Sequence, residues 1–125
     1  MSNGLQLGMI GLGRMGAGMV RRMMKDGIRC VVYDVNADAV KALEADGAIG
    51  ATSIEDFISK LEKPRTTWMM LPVAFVDGMI EQLSPHLEKG DIIVDGGNSS
   101  YHDDIRSSKH LAEKGIDYID VGVSG

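Results

Sequence analysis

Apolar positions in this chain come in two spacings that take turns. Short apolar runs at residues 6–10, 28–33, 66–71, 91–94 and 118–121 have the length of strands. The run at 28–33 is nearly continuous once Arg29 is set aside, as expected for a parallel strand covered on both faces. Residues 48–51 predict a further short strand. Between these runs, helical spacing predicts helices over residues 14–26, 36–46, 53–62, 75–87 and 101–114. In the first helix Met15, Met19, Val20 and Met23 share one face, a stripe expected to pack on the sheet, while Arg21, Arg22 and Lys25 fall largely toward solvent. Asn36 is placed to cap the second helix and Gly47 to end it, and the run from Ser53 to Asp56 gives the third a cap-like start.

Strand and helix alternate without a break. That order predicts a parallel sheet with right-handed crossovers and helices on both faces: a three-layer, doubly wound α/β fold of Rossmann type, with strand order 3-2-1-4-5-6. We expect a single domain over residues 1–125, with a ligand crevice at the switch between the first and fourth strands.

The first turn of that pattern carries the chemistry. Gly11, Gly13 and Gly16 follow the first strand at the spacing of a strand-to-helix turn, and Asp34 closes the second strand. Gly11 is expected to let the chain turn sharply, Gly13 to let the backbone approach phosphates, and Gly16 to let the helix pack closely on the strand. The free N–H groups at the helix start then face a pyrophosphate, so the segment reads as a dinucleotide site. Asp34 falls where an adenosine ribose lies and can accept from both of its hydroxyls. It repels a 2'-phosphate, and Val35, Asn36 and Ala37 bring no cation to neutralise one, so NAD is expected over NADP. Arg14 can lean toward either the pyrophosphate or the adenine edge. Lys41 reads as a surface residue. A flavin or a purely regulatory NAD ligand fits the same turn, so the turn alone does not separate them.

Bulk properties narrow the field from outside. At 125 residues, 44% hydrophobic and 25% charged, the chain has the composition of a globular domain able to bury a core without metal or disulfide help. A net charge of −5 argues against a general nucleic-acid surface. No apolar run reaches the length of a membrane helix, and the lone Cys30, inside an apolar run, reads as a small core residue; a reducing cytoplasm fits best. His86 and His110 read as surface residues, His102, nearest the site, as part of a helix start with Asp103 and Asp104, and none belongs to a cluster with zinc-like spacing, so no metal is expected.

The second half adds polar and glycine-rich residues at strand ends: Leu71, Pro72 and Val73 after the fourth strand, Asp95 to Ser99 after the fifth, and Gly122 to Gly125 after the last. That edge is where open α/β sheets bind ligands. Read alone, Gly96, Gly97 and Asn98 suit a turn before a helix, capped by Ser99 or Ser100. Read together with the first motif, the chain resembles the N-terminal domain of the 6-phosphogluconate dehydrogenases, within the β-hydroxyacid dehydrogenases. The resemblance rests on residues 11–16, 34–36, 70–72, 91–99, 114–116 and 122–125 and runs nearly the whole chain. It is most specific at 95–99, where relatives acting on small 3-hydroxy acids usually carry an Asp-x-Ser-Thr pattern followed by proline.

The resemblance implies that Gly11, Leu12, Gly13, Arg14, Met15 and Gly16 hold the pyrophosphate. Asp34 and Asn36 stand where NADP-using members carry an Asn-Arg-Thr run. It further implies that Leu71, Pro72 and Val73 lie along the nicotinamide half, that Asn98 reaches both cofactor and substrate, and that Ser124 and Gly125 open a Ser-Gly-Gly loop binding the substrate. The implied reaction is oxidative decarboxylation of 6-phosphogluconate to ribulose 5-phosphate with NAD as acceptor. The family's lysine base and glutamate acid lie beyond Gly125, so no catalytic residue is expected in this chain. We expect the piece to be truncated, to lack the family's helical domain, and to come from a parent that forms homo-oligomers. A non-catalytic NAD-binding regulatory module and a related 3-hydroxyacid dehydrogenase are the alternatives.

Overall fold

A computed structural model describes residues 5–96 and 111–121 of the chain. Its elements run β1 (Gln6–Ile10), α1 (Arg14–Lys25), β2 (Arg29–Tyr33), α2 (Ala37–Ala45), β3 (Ile49–Gly50), α3 (Ile54–Ser59), β4 (Thr66–Met69), α4 (Val73–Leu83), β5 (Ile92–Asp95) and β6 (Asp117–Asp120), with a single 3₁₀ turn at Ser84–His86 after α4. The six strands form one sheet in the order β3-β2-β1-β4-β5-β6, and every pairing is parallel. This is the doubly wound order expected from the alternation.

Period-two patterning sends neighbouring residues to opposite faces. Met9, Cys30 and Val32 pack with Val20, Val40 and Leu43 under α1 and α2. Ile10, Val31, Met69 and Ile93 pack with Phe57, Ile80 and Leu83 under α3 and α4, joined by Leu111 from the helical end of the segment before β6. The crossovers thus cover both faces, giving three layers. Cys30 is buried as expected, and burial raises its thiol pKa above the ordinary value.

Local chemistry explains where elements begin and end. The Asn36 side chain accepts from the Asp38 amide, and the Ser53 side chain from the Asp56 amide, so both expected caps form. The third helix is shorter than its pattern suggested, ending at Ser59. Lys60 closes it, its ammonium bound to the Gly50 carbonyl at 2.8 Å and to Asp56 at 3.0 Å. The fourth begins two residues early, directly after Pro72, and its α geometry stops at Leu83 because Pro85 has no N–H to donate. β4 stops at Met69 although its run continues to Leu71, while β5 and β6 sit slightly later and earlier than expected, which brings Asp95 into the sheet.

The Met15 expectation is corrected. Its side chain is 53% exposed, whereas Val20 is fully buried and Met19 and Met23 pack against the core. Met15 shares their face but sits in the first turn of α1, where it lines an open cleft instead of the core. Most of the helix predicted over 101–114 lies outside the described residues.

Candidate functional site

Gly11 makes the turn out of β1 with φ +96°, a conformation that strains any residue with a Cβ. Its amide donates to the Tyr33 carbonyl at 3.1 Å, tying the turn to β2, and a Cβ here would strike the Met70 carbonyl. A Cβ on Gly16 would strike the Gly11 carbonyl, so the close approach of α1 is to the turn itself. Gly13 differs. Its conformation is extended, and a Cβ there would meet nothing within 4 Å, so its missing side chain opens space above the turn.

That space faces an uncapped helix end. Gly13 is the N-cap of α1 and provides no side-chain acceptor, and no acidic residue lies in the first turn. The amides of residues 14–16 precede the first intrahelical bond, from the Ala17 amide to the Gly13 carbonyl at 2.8 Å. Helices α2 and α3 are capped by side chains, whereas α1, like α4, has no side-chain cap, which leaves the α1 donors and the positive end of its dipole open at the turn.

Asp34 stands at the rim, half-buried. Its Oδ2 accepts from the Leu12 amide at 2.6 Å and its Oδ1 from the Asn36 amide at 2.8 Å. Asn36 is exposed, with its side-chain oxygen committed to the cap of α2.

Between these parts lies a crevice of about 480 Å³, at the switch between β1 and β4, lined by Gly11, Gly13, Asp34, Val35, Met70, Leu71, Pro72, Phe75 and Gln82 among others. A second cleft of about 290 Å³ adjoins it over the start of α1, lined by Gly13, Arg14, Met15, Gly16, Met70, Leu71 and Pro72. Leu71 and Pro72 therefore wall both. Arg14 and Met15 line the second cleft, away from Asp34. Val73 begins α4. Lys41 lines a further groove of about 210 Å³ that shares Asp34 and Val35 with the main crevice and adds Tyr33, Glu44 and Thr52.

Three side chains here escaped the sequence reading. Val35 is 87% exposed and Phe75 63%, both on the wall of the main crevice, and Gln82 lies further along the same wall. A signal existed for Phe75: Val76, Met79, Ile80 and Leu83 form the buried stripe of α4, and Phe75 lies outside it. Asp95, at the end of β5, is fully buried and accepts from the Tyr118 hydroxyl at 2.9 Å, while Trp68 packs against Gly96 beside it. Asn98, Ser124 and Gly125 lie outside the described residues. Among the described residues, no group of three or more His, Cys, Asp or Glu is placed to hold a metal ion, and no helix is long and apolar enough to cross a membrane.

Comparison with known proteins agrees with this geometry. Residues 6–125 match the model of the NAD binding domain of 6-phosphogluconate dehydrogenase. The chain is 46% identical over 125 aligned residues to 6-phosphogluconate dehydrogenase, decarboxylating, of Haemophilus influenzae, covering 95% of this chain and 26% of that one. It is 38% identical over 122 residues to the NAD(+)-dependent, decarboxylating enzyme of Haloferax volcanii, covering 97% and 40%. The fold matches the Plasmodium falciparum 6-phosphogluconate dehydrogenase, solved in apo form and in complexes with NADP+ and with 6-phosphogluconate. That match has a TM-score of 0.78 and 31% identity, covering 90% of this chain and 26% of that one. The chain thus spans well under half the length of the relatives it matches. A parallel sheet wound in this order, a glycine turn under an open crevice and a family match over residues 6–125 together assign the chain to the NAD-binding domain family of the 6-phosphogluconate dehydrogenases.

Proposed function

We propose that this chain is the cofactor-binding domain of an NAD-dependent oxidoreductase that oxidatively decarboxylates 6-phosphogluconate to ribulose 5-phosphate. The observation that carries the reading is the crevice itself: uncapped amides at one side, and at its rim the Asp34 carboxylate, followed by Val35, Asn36 and Ala37 with no cation among them.

The residues present fit a dinucleotide. The first-turn amides of α1 hold its pyrophosphate, with Gly13 leaving room for close approach and Arg14 adding charge from the second cleft. A carboxylate has about four acceptor positions, and the two amides bound to Asp34 leave two for the ribose hydroxyls. Val35 and Phe75 offer exposed apolar surface in the lining of the crevice for the flat adenine. Leu71 and Pro72 shield the other half of the cofactor from water. When bound, the nicotinamide supplies the hydride acceptor, and this chain's part is to orient it. Asn98, Ser124 and Gly125 hold the sugar acid in this reading, and the residues that move protons lie outside the chain.

The direct test is a calorimetric titration of the chain with NADH and with NADPH. We expect NADH to bind about tenfold or more tightly, through the clash of Asp34 with a 2'-phosphate. Asp34→Ala should narrow that ratio, and an unchanged ratio would show that the carboxylate does not meet the ribose.

A further inference from the structure

We propose that Asp34 is a positioning residue for the glycine-rich turn: the carboxylate that selects the cofactor also latches the loop that grips its pyrophosphate. The identity of the ligand rests on the function proposed above; the latch itself rests on geometry alone. The turn is anchored at its two ends by backbone, the Gly11 amide to the Tyr33 carbonyl at 3.1 Å and the Ala17 amide to the Gly13 carbonyl at 2.8 Å. Between these anchors the Leu12 amide donates to Asp34 Oδ2 at 2.6 Å, across 22 residues of sequence. The other oxygen takes the Asn36 amide at 2.8 Å, from the entrance of α2. Asp34 therefore joins the turn after β1 to the turn after β2, with its oxygens held from both sides by N–H groups. Leu12 is 5% exposed, with its side chain in the core beneath α1 and α2, so its amide has little water to turn to if the carboxylate leaves.

Two consequences follow for selectivity. Admitting a 2'-phosphate by swinging Asp34 aside breaks two charge-assisted hydrogen bonds, so the selector resists adaptation. Removing Asp34 to admit NADP loosens the pyrophosphate loop, so affinity falls for every dinucleotide, including one that never touches the carboxylate.

The experiment uses the full chain and two ligands: NADH, and an NADH analogue whose adenosine ribose lacks both the 2' and 3' hydroxyls. A carboxylate that acts only on the ribose makes Asp34→Ala weaken NADH and leave the analogue unchanged. The latch makes Asp34→Ala weaken the analogue as well, by about tenfold, and makes Asp34→Asn, which keeps one oxygen acceptor, weaken it less. Amide hydrogen exchange reads the same bond without ligand. In the ligand-free wild type the Leu12 amide should be protected, and in Asp34→Ala it should exchange at least about tenfold faster while the β5 amides hold their rates. Unchanged affinity of the analogue, or a Leu12 amide exposed to exchange in the ligand-free wild type, overturns the latch. Should the alanine variant not fold, wild-type exchange at Leu12 still decides. Should NADH fail to bind the wild type, the functional reading falls, and the Leu12 exchange rate decides the latch separately.

Discussion

Single residues in this fold carry opposite signs for stability, and two of them make the contrast measurable. Thr67 is fully buried in β4, and its hydroxyl has no hydrogen-bond partner among the described residues. An unsatisfied buried hydroxyl costs more than a methyl of the same shape. Thr67→Val should therefore stabilise the chain by about 1 kcal/mol in urea unfolding. Asp91 is as deeply buried but fully engaged: it accepts from the Arg65 amide at 2.8 Å, the Arg65 guanidinium at 3.0 Å and the Glu88 amide at 2.9 Å. Asp91→Ala strands a charge and two amides, and should cost about 3–5 kcal/mol by the same measurement. Neither value was legible from the sequence. Thr67 sits in a pattern that any half-buried strand satisfies, and Asp91 reads only as the first residue of a strand until the chain brings Arg65 to it.

At the scale of elements, the turn between β1 and α1 divides its glycines by task. Gly11→Ala meets both a left-handed backbone and the Met70 carbonyl, and should lower stability by about 2–4 kcal/mol. Gly13→Ala meets neither. It should cost less than about 1 kcal/mol in stability, as a change of N-cap residue, yet weaken NADH binding because its methyl enters the space above the turn. A Gly13→Ala variant that binds NADH as the wild type does would remove the phosphate from that space. The glycine spacing, the caps at Asn36 and Ser53 and the strand runs were all readable in advance, because each is set by neighbours within a turn or two. Met15, Phe75 and Val35 were not. Periodicity tells which face of a helix a residue takes, but not what lies over it; Met15 borders a cleft above the glycine turn, and the outer side of α4 faces a crevice that exists only once β1 and β4 are adjacent.

The whole molecule separates structural ties from binding surface. Ion pairs Arg29–Glu62, Lys63–Glu88 and Arg65–Asp91, with the Lys114 ammonium on the Ser84 carbonyl, gather where the strands begin. The opposite edge, where β1, β2 and β4 end, holds the glycine turn, Asp34 and the crevice. Parallel strands make this division possible, since every loop of one kind emerges on one side. The strand order was legible because alternation and right-handed crossovers leave few arrangements, whereas the engagement of Asp34 with Leu12 depends on two turns distant in sequence. We expect the chain alone to show no turnover of 6-phosphogluconate with NAD. Measurable turnover would place the proton-moving groups within residues 1–125. The single tryptophan of the chain, Trp68, stands in β4 with its indole N–H on the Met70 sulfur at 3.1 Å and its ring against Gly96, one residue from the end of β5. Indole emission overlaps the absorption of a reduced nicotinamide, so the protein carries its own optical gauge: energy transfer from Trp68 can report cofactor arrival without any label.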